Sequence, residues 1–225
     1  MIKHASARSA DQMVLICFSH LRWDFVFQRP QHLMIRFART MRVIYLEEPV
    51  TGGEAPELVL REVDGGVTVA VPHLPGSLDR QAQVVALREL LDGMLAEHRG
   101  PLLRWYYTPM MLTFSGHLQA ACTVYDCMDE LASFRFAPPE LVPLEGRLLE
   151  LADLVFTGGY SLYEAKRDLH PAVHPFKRQR GAFLRRAHDA SRARGSGGPG
   201  PPQVWLLRRD RRANGPRPHR RPSRR

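Results

Sequence analysis

Met13-Val14-Leu15-Ile16-Cys17-Phe18 is an unbroken apolar run, and a run this short suits a strand buried on both faces of a parallel sheet. A polar and aromatic loop, Ser19 to Phe27, follows it. Gln28 to Thr40 reads as a helix, with Pro30 in its first turn and Leu33, Phe37 and Ala38 on one face. Arg42 to Leu46 is a second strand, closed by Glu47-Glu48-Pro49. Glu57–Val63 and Val67–Val71 flank Asp64-Gly65-Gly66, a hairpin signal. Leu78 to His98 is the clearest amphipathic helix, with Val84, Val85, Leu87, Leu90, Leu91, Met94 and Leu95 as its apolar stripe. Leu102–Tyr107, Cys122–Asp126 and Leu154–Thr157 are further strands. Pro139–Leu151 is a helix with Pro143 in its opening turn, and a last helix starts at Ser161 and runs through Leu169, with Glu164 at capping-box spacing. Strands interleaved with helices predict an α/β fold, a doubly wound parallel sheet. Ligands in such sheets sit beyond the carboxyl ends of the strands, which singles out Ser19–Gln31, Tyr106–Pro109, Asp126–Glu130 and Thr157–Ser161.

Charge divides the chain of 225 residues in two. Residues 177–225 hold 16 Lys and Arg against 2 acidic residues, whereas residues 1–176 hold 16 against 21 and carry a net charge of −5. A mildly acidic body therefore precedes a strongly basic tail. Residues 1–12 are polar and read as a flexible N-terminus without a signal peptide's apolar centre, and no run reaches the length of a membrane span. Cys17, Cys122 and Cys127 are too few and too apolar in setting for a disulfide framework or a zinc knuckle. A cytoplasmic protein without metal or cofactor is expected.

Four stretches concentrate chemistry. Ser19 to Leu33 gathers Arg22, Trp23, Asp24, Gln28, Arg29 and His32 at a helix N-terminus, a natural anion site; packing of Trp23 with an Arg22–Asp24 ion pair explains the same residues without a ligand. No G-x-G-x-x-G turn is present. Tyr107 ends a strand, where it can stack on a ligand or pack in the core. Asp126, Asp129 and Glu130 follow a buried strand, and three carboxylates so close exceed what helix capping needs; hydrogen bonds to a hydroxylated ligand are one use. Gly158 and Gly159 form a strand–helix junction whose amides can face a phosphate, or simply a tight turn.

Three of these stretches together resemble glycosyltransferases of the GT-B fold related to family 4 (group 1), including the teichuronic-acid-biosynthesis type. They are S-H-L-R-W-D-F-V-F-Q-R-P-Q-H-L (Ser19–Leu33), T-V-Y-D-C-M-D-E-L (Thr123–Leu131) and V-F-T-G-G-Y-S-L-Y-E-A-K (Val155–Lys166). The resemblance covers roughly residues 13–176. It implies two Rossmann-like domains facing a cleft, of which residues 13–176 form the N-terminal, acceptor-side one. It implies transfer of a sugar from a nucleotide-sugar donor to a glycan or lipid-linked acceptor of the cell envelope, without a metal, at or near the inner face of the membrane. Arg22 and Arg29 are then the groups for phosphate, and Asp126, Asp129 and Glu130 the candidates toward the acceptor hydroxyl. The chain departs from the family pattern at Met128, which stands where a histidine is usual, and after Phe176, where nothing reads as a donor domain.

Residues 177–225 are crowded with Arg, Pro and Gly, a composition that cannot bury enough apolar surface to offset its ordering entropy, so disorder is expected. An Arg-rich arm can adhere to polyanions without sequence preference, which makes a non-enzymatic α/β module with a nucleic-acid-binding tail the alternative. The genetic code offers another origin. Codons compatible with Lys177–Arg186 and with Trp205–Gly215, read one base later, spell Ser-Val-Ser-Val-Glu-His-Phe-Phe-Gly and Gly-Phe-Phe-Gly-Val-Ile-Asp-Glu-Arg-Met. These resemble the interdomain linker and the first donor-domain strand of the same glycosyltransferases. An out-of-frame tail is the favoured reading, and the chain alone is expected to be inactive.

Overall fold

The computed structural model describes residues 11–176. The expectations of a disordered basic tail and of a flexible N-terminus, apart from a turn at Asp11 and Gln12, lie outside the described residues.

The elements, in chain order, are β1 (Val14–Ser19), α1 (Arg29–Phe37), β2 (Arg42–Glu47), β3 (Val50–Thr51), β4 (Glu57–Val63), β5 (Val67–Leu74), α2 (Arg80–Leu95), β6 (Leu102–Tyr106), α3 (Leu112–Ser115), β7 (Cys122–Cys127), α4 (Leu141–Leu151), β8 (Leu154–Thr157), α5 (Tyr160–Lys166) and β9 (Val173–Pro175). Short 3-10 turns at Pro109–Met111 and Leu131–Ser133 precede α3 and α4. The strands form one nine-stranded sheet in the order β3-β5-β2-β1-β6-β7-β8-β9, with β4 outside β5. Every pairing is parallel except β4 with β5. The chain works outward from β1 in one direction, then returns after α2 to lay β6 on the other side of β1 and works outward again. This is a Rossmann-like, doubly wound sheet whose topological switch lies between β1 and β6.

Alternation along the strands divides the core in two. Val14, Ile16 and Phe18 face α2 and α4, where Ala86, Leu87, Leu91, Leu144 and Leu148 close the larger half. Leu15, Cys17, Tyr45, Trp105 and Val124 face the opposite way and are covered by Met34 of α1. The β4–β5 hairpin turns through Gly65 and Gly66 at φ +89° and +79°, a backbone region that favours glycine, and a side chain at Gly65 would also run into Ile35.

Several boundaries differ from the sequence expectation. α2 starts at Arg80 because Asp79 caps it, its Oδ1 accepting from the Ala82 amide at 2.8 Å. Val85 does not belong to the apolar stripe: it is 46% exposed, and its neighbour Ala86 takes the buried position. In α1 the fully buried side chains are Gln31 and Met34, while Leu33, Phe37 and Ala38 only fringe the core. Ser161 does not start a helix; α5 begins at Tyr160 with Gly159 as its N-cap, and Glu164 pairs with Arg167 rather than the helix start. The two-residue β3, the α3 turn and the edge strand β9 are too short to produce a hydrophobic period.

The reassigned stripe of α2 is testable by urea unfolding. Leu91→Ala is expected to cost about 2–5 kcal/mol through a core cavity, and Val85→Ala about 0.5 kcal/mol or less. Equal losses would mean that α2 is rotated from the orientation described.

Candidate functional site

The loop between β1 and α1 is held from beneath by two buried side chains. Glu47, at the end of β2, accepts the Trp23 amide on Oε1 at 2.7 Å and the Arg22 guanidinium on Oε2 at 2.9 Å. Gln31, in the first turn of α1, donates Nε2 to the carbonyls of Trp23 and Val26 and accepts the Gln28 amide on Oε1, each at 2.9 Å. Backbone polar groups that would otherwise be buried without partners are thereby satisfied. Trp23 is buried edge-on against Tyr45, with ring centroids 5.0 Å apart. Phe25, Val26 and Phe27, on the outer side of the loop, are exposed.

The anchored loop delivers Arg29 to the carboxyl end of β7. There its guanidinium makes an ion pair with Oδ1 of Asp126, a carboxylate with no solvent exposure, and lies over the Phe176 ring at 4.4 Å. The second oxygen of Asp126 has no hydrogen-bond partner among the described residues, and the Tyr107 hydroxyl and Trp105 Nε1 are likewise buried without one. Burial is the largest influence on Asp126 and pushes its pKa from the ordinary 3.8 up to about 7; Arg29, Tyr107 and Trp105 oppose it. Burial and the facing Asp126 also push the Tyr107 hydroxyl and the Cys17 thiol well above their usual values. Asp126 is thus a buried carboxyl group whose ionised form is favoured by Arg29 and opposed by burial.

The segment after β7 turns away from this cluster. Asp129 is exposed and faces His20, whose proton affinity is lowered by burial and partly restored by Asp129 and the Tyr107 carbonyl. Glu130 binds Lys166 at 3.1 Å. Lys166, nearly buried, also binds Glu145 at 2.9 Å, and Tyr125 donates to that same Glu145 at 2.7 Å. Gly158 is needed for close approach: a Cβ there would fall 2.2 Å from the Met128 carbonyl oxygen. Gly159 is the N-cap of α5 with open space around it.

Of the residues singled out by sequence, the structure brings together Arg29, Asp126 and Tyr107. The Arg22–Asp24 ion pair does not form, because Arg22 is drawn to Glu47 and the Glu48 carbonyl, and Asp24 pairs with Arg61 at 2.6 Å. Trp23 serves the core, Gln28 caps α1, and His32 packs edge-on against Phe27. Glu47, Gln31, His20, Lys166 and Phe176 carry weight that sequence reading did not assign. For Glu47 the signal was an acidic residue directly ending a buried strand; for Gln31 it was the helix N3 position. Among the described residues no group of three or more His, Cys, Asp or Glu could hold a metal ion, and no helix is long and apolar enough to cross a membrane.

No protein-family model matches the chain, and no curated protein matches it significantly. Among solved structures it is similar to trehalose-6-phosphate synthases, which are GT-B glycosyltransferases. The enzyme of E. coli, bound with UDP-2-fluoro glucose, shares 15% identity over 64% of this chain and 39% of its own, at a TM-score of 0.41. That of Burkholderia multivorans shares 14% over 72% and 43%, also at 0.41. That of Burkholderia xenovorans, in complex with glucose-6-phosphate, shares 11% over 64% and 39%, again at 0.41. The chain thus spans about two-fifths of the length of these proteins.

Asp126 makes stability depend on pH in an identifiable direction. The folded protein keeps its proton up to about pH 7, while the unfolded chain releases it near 3.8. In that window the folded state binds more protons, so this contribution is complete below about pH 4 and is lost as pH rises toward 7. Asp126→Asn should therefore gain stability relative to the parent between pH 5 and pH 8, measured by urea unfolding at both. A variant that loses ground at pH 8 would show that the charged Asp126–Arg29 pair stabilises the fold.

Proposed function

We propose that residues 13–176 are the acceptor-side domain of a nucleotide-sugar-dependent glycosyltransferase of the GT-B type. The carrying observation is the buried, half-partnered Asp126 beneath Arg29, near the switch between β1 and β6, within the motifs that resemble that family. In this reading an anionic phosphate of the donor binds the N–H groups of Arg29 that Asp126 leaves free, while the guanidinium stays beside Asp126 and favours its ionised form. The ionised carboxylate accepts the hydrogen bond of an acceptor hydroxyl and takes its proton as the oxygen bonds to the anomeric carbon and the nucleoside diphosphate leaves with its bonding electrons. Tyr107 orients the carboxylate, and Asp129 with His20 lines the acceptor's path. The exposed Phe25–Phe27 segment beside the cleft suits the apolar part of a lipid-linked acceptor or the inner membrane surface.

The reading places the donor-binding half outside residues 13–176, and holding two substrates together is worth up to about 7–11 kcal/mol in such a reaction. The chain alone is therefore expected to release no nucleoside diphosphate from a panel of nucleotide sugars. A protein with the frame restored after Phe176 should turn over. In that protein Asp126→Asn should lower kcat by about 10²–10⁴-fold, and Arg29→Ala by about 10²–10³-fold. Equal turnover by the chain and the restored protein, or full activity of both variants, would contradict the proposal.

A further inference from the structure

β4 is the last strand on one side of the sheet: it pairs with β5 along all seven residues, and no described residue pairs with its other edge. Long open edges invite another strand, and proteins usually blunt them with bulges, prolines or charges. Here Glu57-Leu58-Val59-Leu60-Arg61-Glu62-Val63 pairs with β5 without a bulge, its charges are of both signs, and Val59 and Leu60 are 39% and 51% exposed. Leu58 packs toward the α2 face and Val63 toward the α1 face. Alternation then puts Leu60 and Glu62 on the α2 face and Glu57, Val59 and Arg61 on the α1 face. On the α2 side the edge continues into an apolar groove where Pro56 meets Leu78, Ala82 and the exposed Val85.

We propose that this edge is the interface of a two-fold homodimer, in which β4 pairs antiparallel with β4 of a second copy about Val59. That register sets Glu57 opposite the second copy's Arg61 and Arg61 opposite its Glu57, with Leu58 and Leu60 opposite each other on the other face. The sequence is self-complementary in this register and not in its neighbours. An axis at Leu58 opposes Glu57 to Val59, an axis at Leu60 opposes Leu58 to Glu62, and an axis at Arg61 opposes two guanidiniums. Arg61, half-exposed, also pairs with Asp24 of the β1–α1 loop at 2.6 Å. The contact uses one patch twice and closes on itself, as a two-fold interface requires.

Sedimentation equilibrium of the purified full chain at physiological salt, over about 1–200 µM, decides it, a range set by the micromolar affinities of modest interfaces. The parent chain should be dimeric in the upper part of that range. Glu57→Arg alone and Arg61→Glu alone should each weaken dimerisation at least tenfold by opposing like charges, and the double reversal Glu57→Arg/Arg61→Glu should restore it. Val59→Lys, which sets two lysines on the axis, should leave a monomer that retains the parent's cooperative thermal unfolding. A parent that stays monomeric overturns the proposal, as does a dimer indifferent to the single reversals. So does a double reversal no better than its parts, which would trace the effect to the lost Arg61–Asp24 pair.

Discussion

The ion pair between Arg29 and Asp126 joins the two halves of the sheet on the α1 side. Its carboxylate comes from β7, two strands beyond β1 on one side of the switch, and its guanidinium from the helix that follows β1. Burying a carboxylate is costly, and a partner contacting one oxygen offsets only part of that cost. The protein therefore invests several side chains in placing Arg29. Glu47 and Gln31 fix the loop before it, Pro30 and Gln28 set the helix start, and Phe176 lies against its guanidinium.

A comparison within the same chain separates this pair from ordinary structural charge. Lys166 is also largely buried, yet it is held by two carboxylates, and one of these also receives the Tyr125 hydroxyl. That network is closed: it ties α5 to α4 and to the segment after β7, and each of its polar groups has a partner where it lies. Asp126 keeps one oxygen outside good hydrogen-bond geometry, and the nearby Tyr107 and Trp105 donors, which favour its ionised form, have no other partner among the described residues. Unmet polar groups converging near strand ends are a poor way to stabilise a fold and a good way to receive a ligand.

The strands of this fold were readable because each carries its own pattern. Val14–Ser19, Cys122–Cys127 and Leu154–Thr157 are buried or half-buried throughout and mostly apolar, save for Thr123, Asp126 and the residues that close them. Short elements such as Val50–Thr51 and Val173–Pro175 are fixed by their neighbours in the sheet and leave no local signal. The site was legible by position, since the strand-end rule pointed to Arg29, Tyr107 and Asp126. Their division of labour was not. Whether Arg22 pairs with Asp24 or with Glu47 depends on the β1–β2 register, which sets Ser19 beside Glu47 and so brings that carboxylate under the loop. Glu130 and Lys166 lie 36 positions apart and meet only because α5 folds back against the segment after β7.

The central claim is that Asp126 is a buried carboxyl group poised near neutral pH, with Arg29 as the cation that favours its ionised form. The direct measurement is a carbon-detected NMR titration of the Asp126 carboxyl in the folded chain, assigned by its loss in Asp126→Asn. The account predicts a midpoint near 7, moving higher in Arg29→Ala, where the cation that favours the ionised form is gone. A midpoint below about 4.5 in the parent, the range of an ordinary carboxylate, would contradict it.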